Sequence, residues 1–577
     1  MNGIKKNLQE DNFVGQSDEF SGRLGLIFAT IGAAIGTGNI WRFPRMVGAN
    51  GGGSFLIPWL IFLFLWSIPL VIAEFALGKR SRAGTVGTFR IFTGKNYAWM
   101  GLWTAWISTA IGFYYAIVAG WCMKYFTMGA TGGLAKGTDF IGEWNNFLGS
   151  AGQVILFQFL IVLISVAAIW KGAKAIEKTN VWMMSSLFVL LFLVLFLSLW
   201  MDMKDGRLDG FTFMFTVDPE YLKDPKTWIN GLSQSAWSCS AGMGMAITYA
   251  VYMRKDEDTV LNAATMGLAN NSISIIAGLA VLSAIFAVST DPLSVVTGGS
   301  SAITFLALPE VFAEAPGGKT GAMIMVTMFF LALTFAALTS MISTIEMCVR
   351  NFVDHGFSRD KAVGATAIAI FILGIPSAVI AIKVDSASGV MYPEFLEVQD
   401  HIWGYGLMFS GLFIAFTIWK YGWKIWKEKV AAGEADESLR GYMEHGMPAF
   451  RDDFINTGDN DLWVGSWWDK IMYFGFPIMF SVLILSYFSD LIFSFDPWYS
   501  AFNPVDPKGA GIIFAFWGVV GVTFFFFNKK LTSYPLYRNV PEGADVDIST
   551  LPGANDEMIF VLGEDSTDKI FDAEIIE

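Results

Sequence analysis

The stretch GAAIGTGNIWRFP, Gly32 to Pro44, sets three glycines, an asparagine, an arginine and a proline inside a long apolar run. Glycine and proline are the weakest helix formers. In a bilayer, broken backbone is tolerated only where it lines a cavity or is buried in protein. Carbonyls freed by such a break can bind a cation. The N-terminus of the following half-helix carries partial positive charge and suits an anionic group. Glycine lets the backbone itself approach the ligand. A second stretch, WSCSAGMGMAITYA from Trp237 to Ala250, repeats the feature, with Gly242-x-Gly244 beside serines where the first has Gly36-x-Gly38. Interruptions at matching positions of two halves point to a transporter binding site. Gly32 and Gly36 also fit a small-xxx-small helix contact, but two matched breaks with clustered polar residues favour the cavity. No strand precedes Gly36, which removes a dinucleotide-binding reading.

Such breaks need helices that cross a membrane. The chain has 577 residues, 54% hydrophobic and 15% charged, where a soluble protein carries about a quarter charged. Apolar stretches recur near 23–46, 54–78, 98–128, 151–170, 179–201, 229–253, 259–289, 319–349, 362–382, 400–422, 467–494 and 509–528. About twelve spans follow from the rule of roughly 20 residues per crossing. The expected fold is an all-α polytopic membrane protein with broken spans 1 and 6. Repeat one (23–201) and repeat two (229–422) form a five-plus-five inverted repeat, and spans 11 and 12 (467–528) are additions to the 23–528 transporter domain.

Outside it lie a polar N-terminal segment (1–22) without a signal-peptide pattern, a polar insert (430–465) and an acidic tail (529–577). The tail reads either as a mobile acidic end or as a docking segment. Lys79, Arg80, Arg82, Arg90 and Lys95 follow span 2, and Lys171, Lys174 and Lys178 follow span 4. Asp202, Asp209, Asp218, Glu220 and Asp224 crowd the opposite side. Basic loops face the cytoplasm, so both termini and the insert are expected inside a cell (inner) membrane. The net charge of −13 comes from acidic loops and the tail. Cys122, Cys239 and Cys348 read as packing residues rather than a disulfide framework. The three histidines, His355, His401 and His445, sit outside span interiors. That argues against haem, zinc or histidine-based catalysis, so no enzyme is expected.

RLGLIFATIGAAIGTGNIWRFP, followed by NGGGSFLIPW and IAEFALG, resembles the first two helices of the neurotransmitter:sodium symporter family. GFYYAI in span 3, ITYAVYMRKDED after span 6 and FAALTSMIS in span 8 extend the resemblance, which runs from Arg23 to about residue 525. It implies two sodium ions and one amino-acid-like substrate at the midplane. The first sodium would take the Ala34 carbonyl, the Asn39 side chain, Ser238 and Asn270. The second would take carbonyls of Gly32, Ile35 and Ala336 and hydroxyls of Thr339 and Ser340. Oxygen ligands suit a hard cation, and Ala336, Thr339 and Ser340 share one helix face. Those hydroxyls could instead bond their own helix backbone.

By the same resemblance the substrate would touch Ala34, Gly38, Ile111, Tyr115, Trp237, Ser240, Met243, Ser340 and Thr344. Tyr115 would meet its carboxylate and Trp237 would be the lid. Trp237 replaces the usual phenylalanine, and Thr37 an apolar residue. Arg42 and Asp400 match an outer-gate ion pair. Asp354 matches the inner-gate acid, although GQSDEFSG before Arg23 holds no basic partner for it. Glu74 would support the broken backbone. Gln234, Ser238, Asn270 and Ser274 match most of a chloride-binding set, with Trp59 in place of its tyrosine. Four polar residues around a sodium is the other reading of that set. The implied function is sodium-driven symport of a small neutral amino acid by alternating access. No acid stands at Gly36, so decarboxylated amines are not expected to bind. Partners are the small-molecule substrate and the lipid bilayer, with no nucleic acid. A non-transporting sensor or channel of the same fold is the alternative, and a membrane enzyme a more distant one.

Overall fold

A computed structural model describes residues 19–203, 206–254, 256–297, 302–386, 388–457, 460–540 and 558–562. Among the described residues ten helices are long and apolar enough to cross a membrane: Gly53–Ser81, Lys95–Ala130, Ala151–Ile169, Ala173–Asp202, Thr259–Val288, Gly318–Asp354, Arg359–Val379, Glu394–Ala431, Ser466–Phe493 and Ala510–Leu531. They are spans 2–5 and 7–12. Span 1 is a pair, 1a (Arg23–Ala34) and 1b (Gly38–Ala49), bent by 57°. Span 6 is also a pair, 6a (Pro225–Ser238) and 6b (Met245–Ala250), each too short to cross alone.

Burial separates the helices that position a site from those that face lipid. Span 3 has 83% of its most apolar stretch buried, against 22% for span 12. Span 3 packs along span 8 and carries small residues at the contact, such as Gly112 and Gly129. Asp258 starts span 7 as an N-cap that accepts from the Leu261 N–H, and Asp224 starts span 6a by accepting from Lys226. Each such cap satisfies an N–H the helix cannot.

Several boundaries differ from the hydropathy reading. Span 5 starts at Ala173 rather than 179, span 9 ends at Val379, and span 10 starts at Glu394 rather than 400. Span 10 also runs to Ala431, into the start of the insert. The insert then folds against the bundle. Phe454 packs on Phe92 and Tyr421, Phe450 stacks on Trp468, and Arg451 pairs with Asp469 at the foot of span 11. Its Leu462 N–H donates to Asp258 Oδ2 at 2.8 Å. Within the tail, Leu536–Val540 pairs in parallel with Met558–Leu562, and Arg90 Nη1 donates to the Tyr534 carbonyl at 2.7 Å. The rest of the tail, 541–557 and 563–577, and residues 1–18 fall outside the described residues.

Candidate functional site at two broken helices

Span 1a ends at Ala34 because Ile35 turns extended, at φ −78° and ψ 110°. The freed groups find partners on other spans. Ser340 Oγ on span 8 donates to the Ile35 carbonyl at 3.2 Å, and Ser240 Oγ in the span 6 break donates to the Ala33 carbonyl at 3.2 Å. The Thr37 N–H donates to the Tyr115 hydroxyl on span 3 at 3.2 Å. Gly36 sits where a Cβ would lie 3.1 Å from Ser340 Oγ and 3.2 Å from the Tyr115 hydroxyl. A Cβ at Gly38 would meet nothing within 4 Å, so the chain is open to a ligand there.

The span 6 break is held in left-handed backbone. Ser240 has φ 52°, Gly242 φ 93° and Gly244 φ 79°. For the serine this conformation costs about 1–3 kcal/mol, offset by its bond to Ala33. Glu74, fully buried on span 2, accepts from the Gly242 N–H at 2.6 Å, and Ser108 Oγ on span 3 donates to the Met243 carbonyl at 2.8 Å. The role expected of Glu74 thus has a direct contact behind it.

Asn39 brings together Ser238 and Asn270, two of the other residues named for the first sodium, with Ser274 of the chloride set. Its Oδ1 accepts from the Gly36 N–H at 3.0 Å. Around its Nδ2 stand Asn270 Oδ1 at 2.7 Å, Ser274 Oγ at 2.9 Å, Ser238 Oγ at 3.1 Å and the Asn270 carbonyl at 3.4 Å. An amide NH₂ has two hydrogens and cannot serve four oxygens. A half-turn of the amide would set a fifth oxygen among them for a cation, at the loss of the bond from the Gly36 N–H. The set fits a monovalent ion, because every member is neutral. Among the described residues no group of three or more His, Cys, Asp or Glu is placed to hold a metal.

For the second sodium, spans 1a and 8 meet at Gly32, whose absent Cβ would lie 3.2 Å from Thr339 Cβ. Thr339 Oγ1 donates to the Phe335 and Ala336 carbonyls, both at 3.1 Å, while Ser340 reaches Ile35. One hydroxyl thus returns to its own helix and the other crosses to span 1. Of the chloride set, Gln234 Oε1 and the indole N–H of Trp59 are buried without a hydrogen-bond partner among the described residues. Ser274 Oγ donates to the Asn270 carbonyl at 3.2 Å.

Ile111, Met243, Ser240 and Thr344 are buried around the breaks, and Tyr115, Trp237 and Ser340 are half-buried. Arg42 and Asp400, expected as an outer-gate pair, each hydrogen-bond to a different partner. Arg42 donates to Ser233 Oγ at 3.1 Å, and Asp400 accepts from the Tyr114 hydroxyl at 2.7 Å, with no ion pair between them among the described residues. The Trp237 indole lies beside Arg42 and Gly404. The Arg42 guanidinium lies 5.9 Å over its ring, and a Cβ on Gly404, one turn beyond Asp400, would fall 2.6 Å from it.

Asp354 does have a basic partner. Arg350 Nη2 lies 2.6 Å away on the same helix, both side chains are buried, and the Gly84 N–H also donates to Asp354. The i, i+4 spacing of Arg350 and Asp354 was the available signal. Phe20 of GQSDEFSG supplies packing where a basic residue was missed, with its ring 6.0 Å from Tyr249 and 5.9 Å from Tyr252. Arg23 pairs with Glu257 at 3.3 Å and with Asp461 of the insert at 3.5 Å. The pair Arg359–Glu346, at 2.6 Å with only Glu346 fully buried, was also overlooked. An acid within apolar span 8 was its signal.

Comparison with known proteins agrees with this geometry. The family model described as the sodium:neurotransmitter symporter family matches residues 17–146 and 145–434. An uncharacterized sodium-dependent transporter of Methanocaldococcus jannaschii is 31% identical over 428 residues, covering 70% of this chain and 82% of its own. The sodium- and chloride-dependent GABA transporter 2 of Rattus norvegicus is 25% identical over 468 residues, covering 73% and 75%. The crystal structure of MhsT in complex with L-phenylalanine matches with a TM-score of 0.64 and 29% identity, over 81% of this chain and 99% of that one. The chain therefore belongs to the sodium:neurotransmitter symporter family, as a sodium-dependent, multi-pass membrane transporter of a small molecule and not an enzyme.

Proposed function

We propose that this protein is a sodium-coupled symporter of a neutral amino acid, working by alternating access with two sodium ions, in a cell (inner) membrane with both termini and the insert cytoplasmic. The observation that carries the reading is Gly36. It stands between the Tyr115 hydroxyl and Ser340 with no side chain of its own. No protein carboxylate occupies that position, so the substrate's carboxylate can approach the first sodium and the Tyr115 hydroxyl. A substrate lacking the carboxylate would leave both underused. MhsT, bound to L-phenylalanine in its crystal structure, supports the same substrate class.

The coupling is energetically sufficient. Two sodium ions down tenfold gradients supply about 1.4 kcal/mol each, and two charges crossing 100 mV add about 2.3 kcal/mol each. The test is uptake of neutral amino acids and their decarboxylated amines by the reconstituted protein, with an inward sodium gradient. Uphill accumulation of an amino acid but not its amine is expected. Binding without accumulation would return the sensor or channel reading, and equal affinity for the amine would refute the substrate class.

A chloride ion beside the first sodium is a second element of the proposal. The buried, unpartnered Trp59 N–H favours it, since an anion in a dry site needs such donors. Uptake stimulated by chloride over gluconate, and made chloride-independent by Ser274→Glu, is expected. Uptake that ignores chloride in the parent leaves Ser274 as packing.

A further inference from the structure

Span 5 is not among the helices named for either ion, yet it brings a polar group to the second site. Asn180 is fully buried in the first half of Ala173–Asp202. Among the described residues neither its Oδ1 nor its Nδ2 makes a well-formed hydrogen bond, although the Tyr249 hydroxyl lies near it. A stranded buried amide group costs about 1–3 kcal/mol for each unmet bond, so a position like this calls for a ligand. Its surroundings say which. A Cβ on Gly32 would lie 3.5 Å from Asn180 Cγ and 3.5 Å from Oδ1, as well as 3.2 Å from Thr339 Cβ. Spans 1, 5 and 8 therefore converge on the one residue that has no side chain to fill the space. Gly32 and Thr339 are two of the five groups proposed for the second sodium.

We infer that Asn180 is a further oxygen donor to the second sodium, so that the ion ties span 5 to spans 1 and 8. This rests on the two-sodium reading above. A carboxamide suits the task. Its oxygen is a hard ligand without charge, so the site gains affinity without gaining an acid that would have to be desolvated whenever the ion leaves. Away from Thr339, a hydroxyl relay continues along span 8. Ser343 Oγ donates to the Thr339 carbonyl at 2.9 Å and lies 2.8 Å from the Tyr249 hydroxyl. Asn180 thus lies beside the end of a polar column rather than in an isolated pocket.

The test is sodium binding without substrate. The full-length protein in detergent is titrated with sodium chloride against choline chloride at constant ionic strength, and the thermal midpoint is read at each concentration. Asn180→Leu keeps the volume and removes both stranded groups. Its midpoint in choline should equal or exceed the parent's, while the sodium concentration giving half of the stabilisation rises on the order of tenfold, the worth of one lost ligand bond of about 1.4 kcal/mol. Asn180→Asp should lower that concentration. A misfolded variant cannot produce this pattern, since the two readouts move in opposite senses. An unchanged sodium dependence in Asn180→Leu, with Thr339→Ala weakened, overturns the inference alone. Unchanged dependence in both variants overturns the second-site assignment as well.

Discussion

Glu74 gives the sharpest test of how the span 6 break is held. Its carboxylate is fully buried on span 2 and accepts from the Gly242 N–H at 2.6 Å. Glu74→Ala strands that amide in a site closed to water, at about 1–3 kcal/mol, and leaves a void that adds about 1 kcal/mol. The sum of about 2–4 kcal/mol falls on the conformation of residues 239–244 rather than on any ligand, because Glu74 is in none of the ion or substrate sets. Glu74→Gln keeps an oxygen in place and loses only the strength that charge adds to the bond, about 1 kcal/mol. Binding of the best neutral amino acid at saturating sodium should therefore weaken on the order of 30- to 1,000-fold in the alanine variant and about fivefold in the glutamine variant. Scintillation proximity on purified protein measures both. Parental affinity in Glu74→Ala would mean that the break is self-supporting. Equal losses in the two variants would mean that the charge, not the bond, matters.

Gly404→Leu should drive the Trp237 indole off span 10, since even a Cβ there would approach it to 2.6 Å. Large neutral amino acids should then lose about tenfold in affinity, alanine should lose less, and adding Trp237→Phe should restore the large ones; a loss indifferent to substrate size would refute a lid docked on Gly404. Arg350→Met should destabilise the protein by about 3–5 kcal/mol, because it leaves Asp354 buried and unpaired. Asp354→Asn added to it should recover part of the loss in the thermal midpoint, and simple additivity of the two changes would deny the pairing.

Much of the fold is legible in the sequence because glycine, asparagine and proline inside an apolar run conflict with a bilayer unless a cavity resolves the conflict. The breaks at 35–37 and 239–244 lie where that conflict is greatest. Helix ends are less legible, because hydropathy reports the hydrocarbon slab and not the helix. Span 10 begins at Glu394, whose carboxylate pairs with Lys383 at 2.6 Å outside the apolar stretch. Contacts between distant side chains are least legible. Arg42 and Asp400 have the charges of a gate, but nothing in the sequence says that their hydrogen-bond partners are Ser233 and Tyr114. Asn180 reads as one polar residue in an apolar helix, and only the packing of spans 1 and 8 around it shows that its amide is stranded.

The bonds at the two breaks also say which helices move together. Span 1 is joined to span 6 through Ala33–Ser240 and to spans 6 and 7 through the Asn39 cluster, and Glu74 joins span 2 to span 6. Four spans thus share interior polar bonds at the two breaks. Toward spans 3 and 8 the links from span 1 are single bonds of 3.2 Å, Thr37–Tyr115 and Ile35–Ser340, whereas span 6 reaches the same two spans through Ser108–Met243 and Tyr249–Ser343 at 2.8 Å. Opening the site on either side needs one group of helices to rock against another, and the weaker seam is the one between span 1 and spans 3 and 8. The second proposed cation site straddles that seam, while the first proposed one lies within the group. Withdrawal of sodium should therefore lengthen distances between spans 1a and 8 and leave those between spans 1a and 6a unchanged. Paired spin labels at exposed ends of these helices measure both distances. Separation of span 1a from span 6a, with span 8 keeping its distance, would place the seam elsewhere and undo the grouping.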